Sequence, residues 1–335
     1  MSRAVLVTGA GGFVGSAVVR MLVGHRSAGR AVVSGGAAVD HVVALLRPGG
    51  SIERLAELPR KGGCSIRYAD LTDRLALDRL FSDVQPCAIV HAALDAETYR
   101  DLPEPDEHRL NQLPLDALFE GLKGARGGRF VHTGSAWVLP PGDALNESAR
   151  LDPRSPYARS KARADQRVAD LGDRTGVPWI NLRLFNLFGR YEKPSRLLPH
   201  LVSRLVEGRD ACLSHGNQVR DFNDVDDSAE AYRLALEAPE SACGTIYHIG
   251  SGRGTTVREF AALVARYTGD AGRIRFEASI TPDQELPCLV ADPALARRVL
   301  GWSPTADLES RVRQAVQWWL NRLVRREPGR QQGVL

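Results

Sequence analysis

The chain has 335 residues, 43% of them hydrophobic and 25% charged, with 44 Lys and Arg against 40 Asp and Glu for a formal charge of +4. That length buries a full core in two closely joined lobes, and basic residues mixed with acids along the chain argue against nucleic acid as a partner. No apolar span is long enough for a membrane helix. Five cysteines without Cys-x-x-Cys spacing and eight histidines without ligand spacing leave no disulfide frame or metal site, and point to a reducing cytoplasm.

Residues Ala4–Thr8 form an apolar run that leads directly into Gly9-Ala10-Gly11-Gly12-Phe13-Val14-Gly15, followed by a helical pattern through Leu22. The glycines interrupt the apolar run, so it is not expected to be a secretory leader. Strand, glycine turn and helix in this order predict a dinucleotide site. Gly9, Gly12 and Gly15 answer a sharp turn, close approach of backbone to a pyrophosphate and tight packing of helix on strand, and the helix offers its free N–H groups to the phosphates.

Residues 24–40, rich in Gly, Ala and Ser, read as an inserted surface loop. Strands are then expected at His41–Leu46, 65–68, 88–91, 129–132 and Trp179–Leu184, alternating with helices, one of which opens at Tyr157. This alternation predicts an α/β fold: a Rossmann-type doubly wound parallel sheet with a smaller C-terminal α/β lobe for substrate. Residues 1–186 with 217–250 are assigned to the first part, 187–216 with 251–322 to the second, and 323–335 to a disordered tail. Ligands of such sheets bind beyond the carboxyl ends of the strands, where Gly9, Asp70, His91 and Ser135 fall. Segments 258–267 and 309–320 read as amphipathic helices, and Trp318-Trp319 as core packing.

Tyr157 and Lys161 stand four residues apart in the expected helix, one above the other, so an ammonium would sit beside a phenol and stabilise its ionised form. An acidic residue closing the second strand would mark NAD, but the chain has Leu45-Leu46-Arg47-Pro48 there. Arg47 suits a 2′-phosphate, so NADP(H) is favoured over NAD(H).

The glycine turn, Asp70-Leu71, Val90-His91-Ala92-Ala93, Asn111, Ser135, Tyr157 with Lys161, Arg183-Leu184-Phe185-Asn186, Arg220-Asp221-Phe222 and Leu300-Gly301-Trp302 together resemble the extended short-chain dehydrogenases/reductases. That family includes nucleotide-sugar epimerases, dehydratases and reductases. The resemblance implies Tyr157 as general acid/base, Lys161 as the residue that lowers its pKa and holds the nicotinamide ribose, Ser135 on the substrate oxygen, and Asn111 in support. Gly9, Gly12, Phe13, Val14, Gly15, Arg47, Asp70, Leu71, Ala92 and Ala93 would line the cofactor. Ser135, Ala136, Trp137, Asn186, Arg196 and Arg220 would line the substrate, with Arg220 gripping the diphosphate of a nucleotide sugar. A homodimer is implied, through helices around 107–123 and 157–173.

Two departures bear on the reaction. Sugar 4,6-dehydratases of the family carry an acidic pair just after the position of Ser135, whereas this chain has Ala136-Trp137. The second arginine usual before Ala291-Asp292 is missing from Thr281-Pro282-Asp283-Gln284-Glu285, and Arg196 is the candidate to replace it. The expectation is an NADPH-dependent ketoreductase of a nucleotide-linked, deoxy-type 4-keto sugar. The alternatives are an NAD-dependent 4-epimerase, a reductase of a non-sugar ketone, and a non-catalytic dinucleotide sensor or scaffold.

Overall fold

Strand β1 (Ala4–Thr8) is buried along its whole length and takes parallel neighbours on both sides, β4 (His41–Leu46) and β6 (Pro86–His91). A strand buried on both faces favours apolar residues throughout, and Ala-Val-Leu-Val meets that demand, while the hydroxyl of the closing Thr8 is paired with His91 at 2.8 Å. The computed structural model describes residues 3–59, 63–94, 111–125, 127–269, 271–277 and 285–326.

With β5 (Cys64–Tyr68), β7 (Arg129–Ser135), β9 (Trp179–Leu184) and β13 (Thr245–Ile249), these strands make a seven-stranded parallel sheet in the order β13-β9-β7-β6-β1-β4-β5. The chain runs outward from β1 through β4 to β5, then crosses back to place β6 on the other side of β1. That reversal opens a crevice beyond the ends of β1 and β6, where Thr8 is in register with His91.

Helices cover both faces. Val5 and Val7 point into a core built with α1 (Phe13–Ser27) and α6 (Val225–Glu237). Leu6 points to the opposite core, built with α2 (Arg74–Val84), α3 (Leu113–Glu120) and α4 (Pro156–Thr175). In α4 the buried positions Ala158, Lys161, Ala164, Asp165, Val168, Leu171 and Gly172 recur at helical spacing, so one stripe faces the sheet. Gly172 is required by that packing: a Cβ there would lie 2.0 Å from the Trp179 ring.

A second sheet has the order β10 (Asn186–Phe188), β12 (Val219–Asp224), β16 (Cys288–Ala291), β8 (Gly142–Leu145), with β14 (Gly254–Thr256) antiparallel on β12. It draws β8 and β12 from stretches that the sequence reading placed with the nucleotide-binding part. Beside it α5 (Leu197–Val206), α7 (Val257–Thr268) and α8 (Leu308–Arg326) close a third core around Phe188, Phe222 and Phe260. Trp319 is buried in that core, and its indole N–H donates to the Gly189 carbonyl at 3.1 Å, in keeping with its expected packing role.

Several boundaries differ from the sequence reading. The first helix continues past Leu22 to Ser27, because Leu22 and Val23 still face the core. Residues 24–40 are not simply a surface loop: they hold a hairpin of β2 (Val33–Ser34) and β3 (Ala37–Ala38), and Val32 and Val39 are buried in the core that α1 shares with α6. The large sheet has a seventh strand, β13, beyond the six expected. The tail expected over 323–335 begins instead as the last turn of α8, which runs to Arg326; residues 327–335 lie outside the described residues.

Candidate active site

The crevice between β1 and β6 is walled by backbone. Gly9 has φ +65°, and a Cβ on it would meet the Ala92 carbonyl oxygen at 2.6 Å. A Cβ on Gly15 would meet the Gly9 oxygen at 2.3 Å, so the turn and the first turn of α1 pack at a separation only glycine permits. Ala93 N donates to Thr8 Oγ1 at 3.3 Å and fixes the opposite lip. Helix α1 begins at Gly12 with no side chain capping it and no acidic residue in its first turn. Its leading N–H groups are therefore open to an anion, and the cradle fits a dinucleotide pyrophosphate. Phe13 and Val14 anchor that turn in the core beneath.

The other expected cofactor residues lie around the same crevice. Arg47 follows β4 and is exposed, and its carbonyl accepts from Gly50 N at 2.9 Å in a tight turn. Asp70 follows β5 and accepts from both the backbone N–H and the hydroxyl of Thr72, each at 2.8 Å, while Leu71 packs on the core beside α2. Arg54 was not anticipated. Its guanidinium donates to Gly11 O and Tyr191 O, both at 3.0 Å, and so ties the glycine turn to the loop after β10.

Ser135 ends β7, and its hydroxyl oxygen accepts from Trp137 N at 3.3 Å. Tyr157 stands in the first turn of α4, behind Pro156 and the capping Ser155. Burial raises the Tyr157 phenol; a hydrogen bond with Ser135 and the charge of Arg196 pull in the opposite direction without prevailing. One turn on, Lys161 is buried, and its ammonium donates to the Thr133 carbonyl at 2.8 Å. Burial pulls Lys161 down to about 8, against the opposing charge of Asp165. Lys161 gives one of its three N–H hydrogens to Thr133, and burial leads the upward shift of the phenol. Asn111 donates to Ser160 Oγ at 3.3 Å, which places it against the α4 turn between the tyrosine and the lysine.

Beneath this pair lies a buried polar chain that the sequence reading missed. Asp165 Oδ2 accepts from Arg183 at 3.0 Å, Asp165 Oδ1 lies 3.5 Å from His132 Nε2, and Arg183 reaches His248 at 3.2 Å. His132 stacks on His91, whose Nδ1 is 2.8 Å from the Thr8 hydroxyl. Burial would raise the Asp165 carboxyl, but the hydrogen bond from His132 and the charge of Arg183 hold it below the ordinary carboxylate range. Continuing the helical spacing from Tyr157 through Lys161 by one more turn lands on Asp165, and that periodicity was the available signal.

On the substrate side, Asn186 opens β10 with its Oδ1 buried and without a hydrogen-bond partner among the described residues. Arg196 occupies the residue before α5 without a side-chain capping bond and is exposed. Arg220 is buried: Nη1 donates to Val219 O at 2.9 Å, Nη2 is paired with Glu285, and the guanidinium lies 5.7 Å from the Trp137 ring centre. Ala136 is wholly buried beside Ser135. Of the stretch 281–285, only Glu285 is among the described residues. All five cysteines are free, and no group of three or more His, Cys, Asp and Glu that could hold a metal occurs among the described residues. No described helix is long and apolar enough to cross a membrane.

Residues 5–250 match the NAD dependent epimerase/dehydratase family. The chain is 31% identical over 346 residues to a dTDP-glucose 4,6-dehydratase of Neisseria meningitidis, covering 95% of this chain and 94% of that protein. A dTDP-glucose 4,6-dehydratase of Streptomyces venezuelae, solved with NAD bound, superposes with a TM-score of 0.81 at 26% identity, covering 95% and 97% of the two chains. The fold is also that of a UDP-glucose 4-epimerase of Thermotoga maritima, with a TM-score of 0.82 at 23% identity over 96% and 99%. The glycine cradle at the switch point, the Ser135, Tyr157 and Lys161 cluster and a match over most of the chain place this protein in the NAD dependent epimerase/dehydratase family, among the extended short-chain dehydrogenases/reductases.

Proposed function

We propose that the chain is an NADPH-dependent ketoreductase that acts on a nucleotide-linked 4-keto sugar, with Tyr157 as the general acid. The observation that carries this reading is the wall beside Ser135. Ala136 is fully buried and Trp137 lies against Arg220, so positions 136 and 137 offer no acid–base pair for removing water from a sugar. Reduction needs one hydride and one proton. When bound, the nicotinamide supplies the hydride.

The chain's own residues would do the rest. Ser135 would hold the substrate oxygen, and Tyr157 would pass it the phenolic proton as the carbonyl carbon is reduced; a phenol kept protonated by burial suits that direction. Lys161, tied to Thr133, would present its remaining N–H groups toward the cofactor ribose. Asn111 would keep the intervening helical turn in place through Ser160. Arg47 would pair with the 2′-phosphate that distinguishes NADPH, in a contact worth about twice a neutral hydrogen bond. Asn186, Arg196 and Arg220 would face the nucleotide sugar, and α3 and α4 would form the homodimer contact.

A second reading, a nucleotide-sugar 4-epimerase that keeps its NAD, is favoured by the NAD bound in the Streptomyces venezuelae dehydratase. Native mass spectrometry of the purified protein, before and after addition of NADPH, separates the two. NADPH that exchanges freely, together with its consumption on 4-keto nucleotide sugars, supports the reductase. NAD retained through purification and undisplaced by NADPH rejects it in favour of the epimerase.

A further inference from the structure

Arg220 is a buried guanidinium whose two terminal nitrogens are both engaged. Nη1 serves the Val219 carbonyl at 2.9 Å, Nη2 is paired with Glu285 Oε1, and Trp137 covers one face with its ring centre 5.7 Å away. The Glu285 side chain is itself only 19% exposed, so water does little to screen the pair. The two opposite charges cancel, and the cluster has no net positive charge to offer an incoming anion. A diphosphate placed here would have either to displace the carboxylate or to lie beside it in a poorly solvated site, and both cost binding free energy.

We infer that Glu285 is a specificity-determining residue: it competes with a substrate's diphosphate for Arg220 and weakens the grip on the nucleotide. This rests on the nucleotide-sugar reading above, which it deepens by locating the residue that limits the affinity. A ligand suited to the intact pair donates hydroxyl hydrogens to the Glu285 carboxylate and brings little negative charge to Arg220. A weak hold on the diphosphate also suits an enzyme that must release its nucleotide product after every turnover.

The test is calorimetric titration of UDP and dTDP into the full chain, its Glu285→Gln and Arg220→Met variants and the double variant, with NADPH binding measured alongside as the check on folding. Glu285→Gln is expected to tighten nucleoside diphosphate binding at least about tenfold, or about 1.4 kcal/mol, with a steeper dependence on salt. Arg220→Met alone should weaken binding below the parent's, because Glu285 then faces the diphosphate unneutralised, and the double variant should bind less tightly than Glu285→Gln, because the cation that gains from losing Glu285 is gone. Glu285→Ala removes the same carboxylate and must also tighten binding, which covers the case in which the glutamine variant folds poorly.

The outcomes separate the two ideas. Nucleotide binding that is measurable and equal with and without Glu285, or weaker without it, overturns the inference and leaves the nucleotide-sugar reading in place. Binding seen only when Glu285 is replaced upholds the inference and moves the natural substrate away from diphosphates. No binding by any variant overturns both.

Discussion

Replacing Asp165 by asparagine removes one negative charge from a place where two cations depend on it. Asp165, Arg183 and Lys161 are each no more than 5% exposed, and the carboxylate accepts from Arg183 at 3.0 Å. Removing one partner of a buried ion pair strands the other charge in a medium that cannot solvate it, at a cost of about 3–5 kcal/mol. Unfolding entropy of ~2.1 cal/mol/K per residue over 335 residues makes each degree of Tm worth about 0.7 kcal/mol. The variant should therefore melt ~4–7 °C below the parent at neutral pH, measured by calorimetry on the NADPH-free protein.

Two further readouts make that prediction specific to charge. Asp165 is held below the ordinary carboxylate range, so the stability it contributes is present above the unfolded value near ~3.9 and is lost as the pH falls through the folded one. The gap between parent and variant should close in acid. Lys161, already down at about 8 with Asp165 opposing the shift, should move lower still, bringing the alkaline limb of activity to lower pH. A double change of Asp165→Leu with Arg183→Met should recover part of the lost Tm, since of the two cations only Lys161 is then left without its carboxylate. A melting temperature within about one degree of the parent, with an unmoved alkaline limb, would refute the reasoning.

Tyr157→Phe should cost at least ~10²- to 10⁴-fold in turnover while NADPH affinity stays near the parent's, read by single-turnover kinetics and fluorescence titration; near-normal turnover would remove Tyr157 from the acid role. Gly15→Ala puts a Cβ 2.3 Å from the Gly9 oxygen, so the glycine turn has to shift, and dinucleotide binding should weaken by more than about tenfold with ~1–3 kcal/mol lost in a urea melt. Burial pushes the Glu192 carboxyl up to about 8 against the charge of Arg196, and its Oε2 has no partner among the described residues. The folded state therefore holds a proton that the unfolded chain releases near ~4.3, and stability is lost as the pH rises between the two values. Glu192→Gln should be more stable than the parent by up to about 5 kcal/mol near pH 9, with the advantage down to about 1 kcal/mol near pH 5 and gone below about pH 4.

Legibility in the sequence followed the range of the interactions. β1, β4 and β9 were placed to the residue, because apolar residues dominate each run of five or six, even where β9 carries Asn181 and Arg183. The glycine turn was legible because its demands are met within seven residues. The hairpin at Val33–Ser34 and Ala37–Ala38 was not, since two-residue strands carry no period and only burial against α6 distinguishes them from a loop. The seventh strand was not read as one, because its pairing with β9 joins segments far apart in the chain. Glu285 carried no local signal at all; its meaning comes from Arg220, 65 positions away.

The amino-acid order by itself determined the fold class, the glycine turn and which residues are candidates for handling the proton, because each rests on spacing along one strand, one turn or one helix. The tertiary structure alone decided how those residues are shifted and what they face: Lys161 turned to Thr133, the Tyr157 phenol raised by burial, Asp165 caught between His132 and Arg183, and Arg220 paired with Glu285. Desolvation and ion pairing act through space at a few ångströms, and only folding sets those distances.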